Sequence, residues 1–188
     1  MCGIVGFTGR QQAAPILLNG LSKLEYRGYD SAGIAIYNGT SIDMVKSKGR
    51  LKVLNELTHD GETIKGTIGI GHTRWATHGA PSDVNSHPHT SMNGRISVVH
   101  NGIIENYLQL KAELEEKGYV FASETDTEVV AQLFDYYYDG DMVDTLIHVI
   151  GRIRGSYALG ILCSEKPDEI VAVRKDSPML VGIGENEN

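Results

Sequence analysis

The second residue of the chain, in "MCGIVGFTGR", is a cysteine. Removal of Met1 would make Cys2 the N-terminus and leave a thiol and a free α-amine on one residue, a nucleophile with a base a few bonds away. The plainer alternative is a small apolar side chain opening a buried strand, since free cysteine is among the most buried residue types. Cys163, the other cysteine, lies in the apolar run "SYALGILC" and reads as a buried, inert thiol.

Three further stretches concentrate polar chemistry. In "GIGHTRWATHG" a strand-type alternation runs into His72, Arg74, Trp75, Thr77 and His78. An arginine fork can hold a carboxylate through two charge-assisted hydrogen bonds, and a neighbouring tryptophan can wall a small polar ligand from water. A surface ion pair beside a core aromatic would use the same residues. In "VVHNGIIEN" the Asn101-Gly102 pair suits a tight turn. It also offers a side-chain amide and an unhindered backbone N–H, two donors able to converge on one oxygen as an oxyanion hole requires. In "SETDTEVVAQLF", Thr125 and Glu128 fit a capping box, which predicts Asp126 in the first turn of a helix. The helix dipole would keep that carboxylate charged and able to receive an ammonium group, or Asp126 is simply a helix-start acid.

Metal and phosphate chemistry find less support. His87 and His89 in "SHPHT" have no HExxH, CxxC or acid at a recognised ligand spacing, and neither "GIGHTR" nor "GIGENEN" completes a GxGxxG or P-loop. The expectation is no metal and no nucleotide.

These residues need elements to position them. Alternation predicts strands over 2–9, 32–38, 41–47, 67–75, 95–104, 156–163, 169–175 and 179–184. Helical patterns occupy "APILLNGLSKLEY", "NYLQLKAELEEKG" (Tyr107, Leu110 and Leu114 on one face, Gly118 as a stop), "TEVVAQLFDYYY" and "MVDTLIHVIGRI". Strands first, helices next and hairpin-like strands last suggest an α+β fold of antiparallel sheets with helices outside.

The 188 residues suit one domain, and no repeat, low-complexity tract or linker divides them. At 41% apolar and 22% charged the chain reads as globular, and no apolar run approaches the roughly 20 residues that span a bilayer. The start carries no basic region followed by an apolar one, which predicts no secretory signal, a cytoplasmic location and a free Cys2 thiol. A net charge of −7 has the wrong sign for a general nucleic-acid binder and points to small-molecule substrates.

Taken together, "MCGIVGF", "LEYRGYDSAGIA", "GHTRWATHG" with "NSHPH", "HNGIIEN" and "SETDTE" resemble the N-terminal-nucleophile, or class II, glutamine amidotransferase domains, in that family's order across almost the whole chain. "EYRGYDSAG" and the later spacings are similar to the branch that makes glucosamine 6-phosphate from fructose 6-phosphate. Branches that feed purine, asparagine or glutamate synthesis typically differ after the RG pair.

The resemblance implies a four-layer sandwich of two antiparallel sheets with helices on both outer sides, and a glutaminase domain over residues 1–188. It implies that Cys2 attacks the side-chain amide of L-glutamine with its own α-amine as base, giving glutamate and ammonia through a thioester. Asn101 and Gly102 would hold the oxyanion. Arg74, with Thr77 and His78, would take the substrate carboxylate, and Asp126, with the Gly102 carbonyl, its ammonium. Trp75 would help close the site, Arg27 would order the Cys2 loop, and His87 would support the pocket. No cofactor is implied. The partner would be the sugar-phosphate isomerase half of a full-length synthase, itself a homodimer, and that half is absent here. The last strand-like run stops without a closing helix, which suggests an excised domain.

Two alternatives stay open at this point. One is a papain-like thiol hydrolase in which His78 or His100 deprotonates Cys2 with Met1 still attached. The other is a domain that binds glutamine without turning it over.

Overall fold

A computed structural model describes residues 2–76 and 78–188. The elements run β1 (Gly3–Thr8), α1 (Ala13–Ser22), a 3-10 turn (Glu25–Arg27), β2 (Ser31–Tyr37), β3 (Ile42–Lys48), α2 (Leu51–Thr58), β4 (Ile68–Arg74), β5 (His89–Thr90), β6 (Ile96–Ile104), α3 (Tyr107–Glu115), α4 (Glu128–Tyr137), α5 (Met142–Arg152), β7 (Gly155–Cys163) and β8 (Ile170–Lys175). The strands pair antiparallel into two four-stranded sheets, β1-β4-β2-β3 and β5-β6-β7-β8.

Alternation decides which face each strand residue serves. Ala35, Ile68 and Ile70 of the first sheet meet Val99 and Leu162 of the second in an apolar layer between the sheets. The opposite face of the first sheet, with Ala32, Ile34 and Ile36, packs on Leu17 and Leu21 of α1 and Leu54 of α2. Ile96, Val98 and Ile104 of β6 turn the other way, onto Leu110 of α3, Phe134 of α4 and Val149 of α5. The result is the expected α+β sandwich of four layers. Phe134, Leu17 and Leu110 are among its largest fully buried side chains, and truncating such a residue to alanine typically costs about 2–5 kcal/mol. Among the described residues, no helix is long and apolar enough to cross a membrane.

Several local expectations are corrected. Residues 179–184 form no strand, and Leu180 and Ile183 are 98% and 89% exposed; an apolar run without a partner strand cannot satisfy its backbone as a ladder. "LKVLNELT" is α2, whose buried Leu51, Leu54 and Thr58 make too short a stripe to stand out. The capping box does not form. The residue capping α4 is Thr127, without a side-chain bond, while Glu128 accepts from the N–H groups of Ala122 and Ser123 at 2.8 and 2.6 Å. Thr125 bonds instead to Ser123 and His89. Asp126 therefore lies just before α4, outside its first turn. At α5 the simple cap does form: Asp141 accepts from the N–H groups of Val143 and Asp144.

Candidate active site

Strand parity builds the site. On β4, Ile68, Ile70, His72 and Arg74 share one face; the first two join the apolar layer between the sheets, and the His72 ring then reaches β6. β1 contributes Ile4 to that layer, and Cys2 has the same parity. β6 contributes Val99 and, two residues on, Asn101. The layer thus turns from apolar to polar where β1, β4 and β6 come together.

The Cys2 thiol is half-buried and held by one peptide group. Its Sγ accepts from the Trp75 N–H at 3.2 Å and lies 3.5 Å from the Trp75 carbonyl, to which the S–H can donate. Burial pushes the thiol up, opposed by the Trp75 bond and the charge of Arg74. Behind Trp75 stands Gly28, where a Cβ would come within 2.7 Å of the Arg74 carbonyl carbon and 2.9 Å of the Trp75 nitrogen. Only a glycine allows that approach. Asp30 ties down the next residue, accepting from the Ala76 N–H at 2.9 Å. The Trp75 side chain is 45% exposed, its ring edge-on to Tyr29.

Asn101 and Gly102 make no turn. They lie inside β6, which continues to Ile104. Asn101 Nδ2 donates to the Cys2 carbonyl at 3.2 Å, and its Oδ1 faces His72 Nε2 at 2.9 Å. Gly102 has φ 133°, and a Cβ there would stand 2.0 Å from the Ser156 carbonyl oxygen across the ladder. This is a position no L side chain can take without moving a strand.

Arg74 is 3% exposed. Its Nη2 donates to the carbonyls of His78 and Gly79, while Nη1 is buried without a partner among the described residues. Burial lowers its pKa, and the ionisable thiol of Cys2 and the carboxylates of Asp126 and Asp30 oppose that shift. Asp126 is 4% exposed and accepts from the Ile104 N–H at 2.8 Å. His78 is half-buried with its ring edge-on to Tyr107, Arg27 sits in the 3-10 turn just before Gly28, and Thr77 lies outside the described residues.

Behind Asn101 is a buried group of imidazoles. His72 stacks on His87 at 4.2 Å, and His87 lies edge-on to His89. Burial lowers all of them, His72 to about 3, and does the same to His100, to about 4. They are therefore neutral near pH 7. His100 turns away from Asn101, its Nδ1 bonded to Thr127 Oγ1 at 2.9 Å. No group of three or more His, Cys, Asp or Glu among the described residues could hold a metal. Cys163 is buried, and desolvation pushes its thiol up.

Sequence reasoning assigned no role to His72, Asp30 or Lys46. Parity with Ile68, Ile70 and Arg74 is the signal that could have placed His72 on the inner face. Lys46 shares the inner-face parity of Ile42 and Met44. Its ammonium donates to the carbonyls of Val84, Ser86 and Pro88 at 3.0, 2.9 and 3.2 Å and so fixes the segment carrying His87. Burial lowers its pKa to about 8.

The chain matches the family described as "Glutamine amidotransferase domain" over residues 72–182. It is 65% identical over 188 residues to a glutamine–fructose-6-phosphate aminotransferase [isomerizing] of Caldanaerobacter subterraneus subsp. tengcongensis, covering 100% of this chain and 31% of that protein. To the protein of the same name from Clostridium tetani it is 61% identical over 187 residues, with the same coverage of 100% and 31%. The chain thus spans about a third of the length of these relatives. Among solved structures, glutamine phosphoribosylpyrophosphate amidotransferase from B. subtilis superposes with a TM-score of 0.75 at 29% identity, over 87% of this chain and 35% of that one. A structure described as the allosteric regulatory enzyme of purine biosynthesis gives 0.73 at 31% identity, over 87% of this chain and 36% of that one. With sequence and architecture agreeing, the chain belongs to the glutamine amidotransferase domain family, in its N-terminal-nucleophile class.

Proposed function

We propose that residues 1–188 form a glutaminase domain in which Cys2, once Met1 is removed, hydrolyses the side-chain amide of L-glutamine to glutamate and ammonia. The observation that carries this is the Asn101 amide, which donates to the Cys2 carbonyl at 3.2 Å and so stands beside the nucleophilic residue. The Cys2 α-amine takes the thiol proton as Sγ attacks the amide carbon. A second Nδ2 hydrogen of Asn101 and the Gly102 N–H receive the oxyanion, a role worth about 2.7–4 kcal/mol per donor. Collapse expels ammonia with the proton from the α-amine, and water then cleaves the thioester. An α-amine of reference pKa about 7.7–8.0 is partly neutral near pH 7 and can accept from a thiol of about 8.5.

Substrate orientation follows from opposite charges at its two ends. Arg74, with Thr77 and His78, takes the α-carboxylate; Asp126, with the Gly102 carbonyl, takes the α-ammonium. A glutamate would bring a second carboxylate to the place where an oxyanion forms, which disfavours it. Trp75 helps close the site, Arg27 orders the Cys2 loop, and His87 supports the wall behind Asn101. The amine is favoured over a histidine as base because, among the described residues, Cys2 Sγ hydrogen-bonds only to the Trp75 backbone, and His100 is engaged with Thr127.

Likeness to the fructose-6-phosphate aminotransferases along the whole chain supports the next step. The ammonia serves glucosamine 6-phosphate synthesis on an isomerase half outside residues 1–188, in a cytoplasmic, homodimeric synthase. Ammonia release from glutamine by two mass-verified preparations, one beginning at Cys2 and one retaining Met1, tests the mechanism. Activity only in the first is expected. Equal activity in both would replace the amine by a histidine base, and binding without turnover in both would make the domain a glutamine sensor.

A further inference from the structure

We infer that His72 is a positioning residue for the reaction: its ring donates from Nε2 to Asn101 Oδ1 and thereby fixes which end of the Asn101 amide faces the Cys2 side. This rests on the reading of Asn101 as oxyanion donor given above.

Two obligate acceptors establish the orientation. His72 Nε2 lies 3.0 Å from the His100 carbonyl, which can only accept, so Nε2 carries the hydrogen. The Asn101 atom 2.9 Å from the same Nε2 must then be the amide oxygen. At its other end Asn101 meets the Cys2 carbonyl, also an acceptor only, which requires Nδ2 there. Both ends give the same answer. A flipped amide would set N–H against N–H at His72 and oxygen against oxygen at Cys2, and Asn101 would offer no donor to an oxyanion.

The ring is held so that it cannot exchange roles. His72 is fully buried, its Nδ1 has no partner among the described residues, and its pKa is lowered to about 3 by burial, so it keeps one proton, on Nε2. His87 stacks on it at an interplanar angle of 22°, and His87 Nδ1 in turn accepts the His100 N–H at 3.3 Å. The imidazole, the amide and the β6 backbone between them form one closed arrangement.

Steady-state glutaminase kinetics of the chain beginning at Cys2 test this with His72→Leu, His72→Gln, Asn101→Ala and the double variant His72→Leu/Asn101→Ala. His72→Leu is expected to lower kcat toward the Asn101→Ala level, a loss of about 10²–10³-fold, with KM changed by less than about threefold. His72→Gln, which can donate to Oδ1, recovers most of the loss. The double variant is no slower than Asn101→Ala by more than about threefold, since one interaction is removed in each. Unchanged iodoacetamide alkylation of Cys2 checks that the thiol site is intact. Multiplicative losses, or a His72→Leu enzyme as fast as the unsubstituted one while Asn101→Ala is slow, would overturn the inference alone. An Asn101→Ala enzyme of full activity would overturn the reading on which it rests. Should His72→Leu fail to fold, the 15N spectrum of the unsubstituted chain decides: the Nε2-protonated neutral tautomer is expected across neutral pH, and the Nδ1 tautomer or an imidazolium refutes the arrangement.

Discussion

The Cys2 thiol accepts a hydrogen bond from the backbone N–H of Trp75 at 3.2 Å, so the residue proposed as nucleophile is fastened to the end of the strand that carries Arg74. Burial nevertheless raises the thiol above its ordinary value, which means that the free protein holds a thiol and that its proton must leave during attack. Alkylation of Cys2 in the ligand-free chain that retains Met1, followed against pH, should therefore show a midpoint above the ordinary cysteine value of about 8.5. A midpoint well below it would reveal a resident thiolate in this pocket and remove the need for a base.

Gly28 and Gly102 should each fail as alanine, for different reasons. At Gly28 a Cβ 2.7 Å from the Arg74 carbonyl carbon pushes the Arg74-Trp75 peptide from Cys2. The expected effect is a fall in kcat with the fold retained. At Gly102 the Cβ meets the Ser156 oxygen at 2.0 Å on a backbone of φ 133°. There the β6–β7 ladder itself must shift, and a loss of stability of about 1–3 kcal/mol is expected along with activity. Urea midpoints beside initial rates distinguish the two, and a Gly102→Ala protein of unchanged midpoint and rate would contradict the strained strand.

How far these features were legible follows from the range of the interactions that make them. Alternation in "TIGIGHTRW" is a local property, and β4 forms there with its Ile, Ile, His and Arg on one face. The helical face of Tyr107, Leu110 and Leu114 is local too, and α3 keeps Leu110 and Leu114 buried. The Thr125–Glu128 cap failed because Ser123 and Ala122 compete for the Glu128 carboxylate, a choice made by the path of the preceding loop. Alternation carries the expected strand over 95–104 through Asn101-Gly102, although the dipeptide also suits a turn; pairing with Ala158 and Tyr157 across the ladder decides for the strand. His72 was legible by parity, but its partner lies 29 residues on in another sheet, and that contact exists only after the sheets pack.

The buried imidazoles predict acid sensitivity. Folding lowers the pKa values of His72, His87, His89 and His100, with His72 and His100 at about 3 and 4, so below about 6.5 the unfolded chain binds protons that the folded one refuses. Stability is thus complete above that range and declines as pH falls through it, by up to about 1.4 kcal/mol per pH unit for each histidine. Urea unfolding at a series of pH values should show the midpoint dropping between about pH 6.5 and 4.5, with a shallower slope in His89→Gln. A flat profile over that interval would mean that the rings are charged or exposed.

Arg74 and Asp126 should divide the two ends of the substrate between them. Among the described residues, the buried Nη1 of Arg74 has no partner, and Asp126 uses one oxygen on the Ile104 N–H and makes no other hydrogen bond. Arg74→Lys keeps the charge and loses the fork, so KM for glutamine should rise about 10–100-fold with a smaller change in kcat. Asp126→Asn should raise KM by a similar factor. Substrate analogues make the assignment specific: a glutamine lacking its α-amine should lose little further affinity in Asp126→Asn, and one lacking its α-carboxylate should lose little further in Arg74→Lys, because each interaction is already gone. If both variants discriminated between the analogues as the unsubstituted enzyme does, the two charges would be structural, and the substrate would be oriented by other groups.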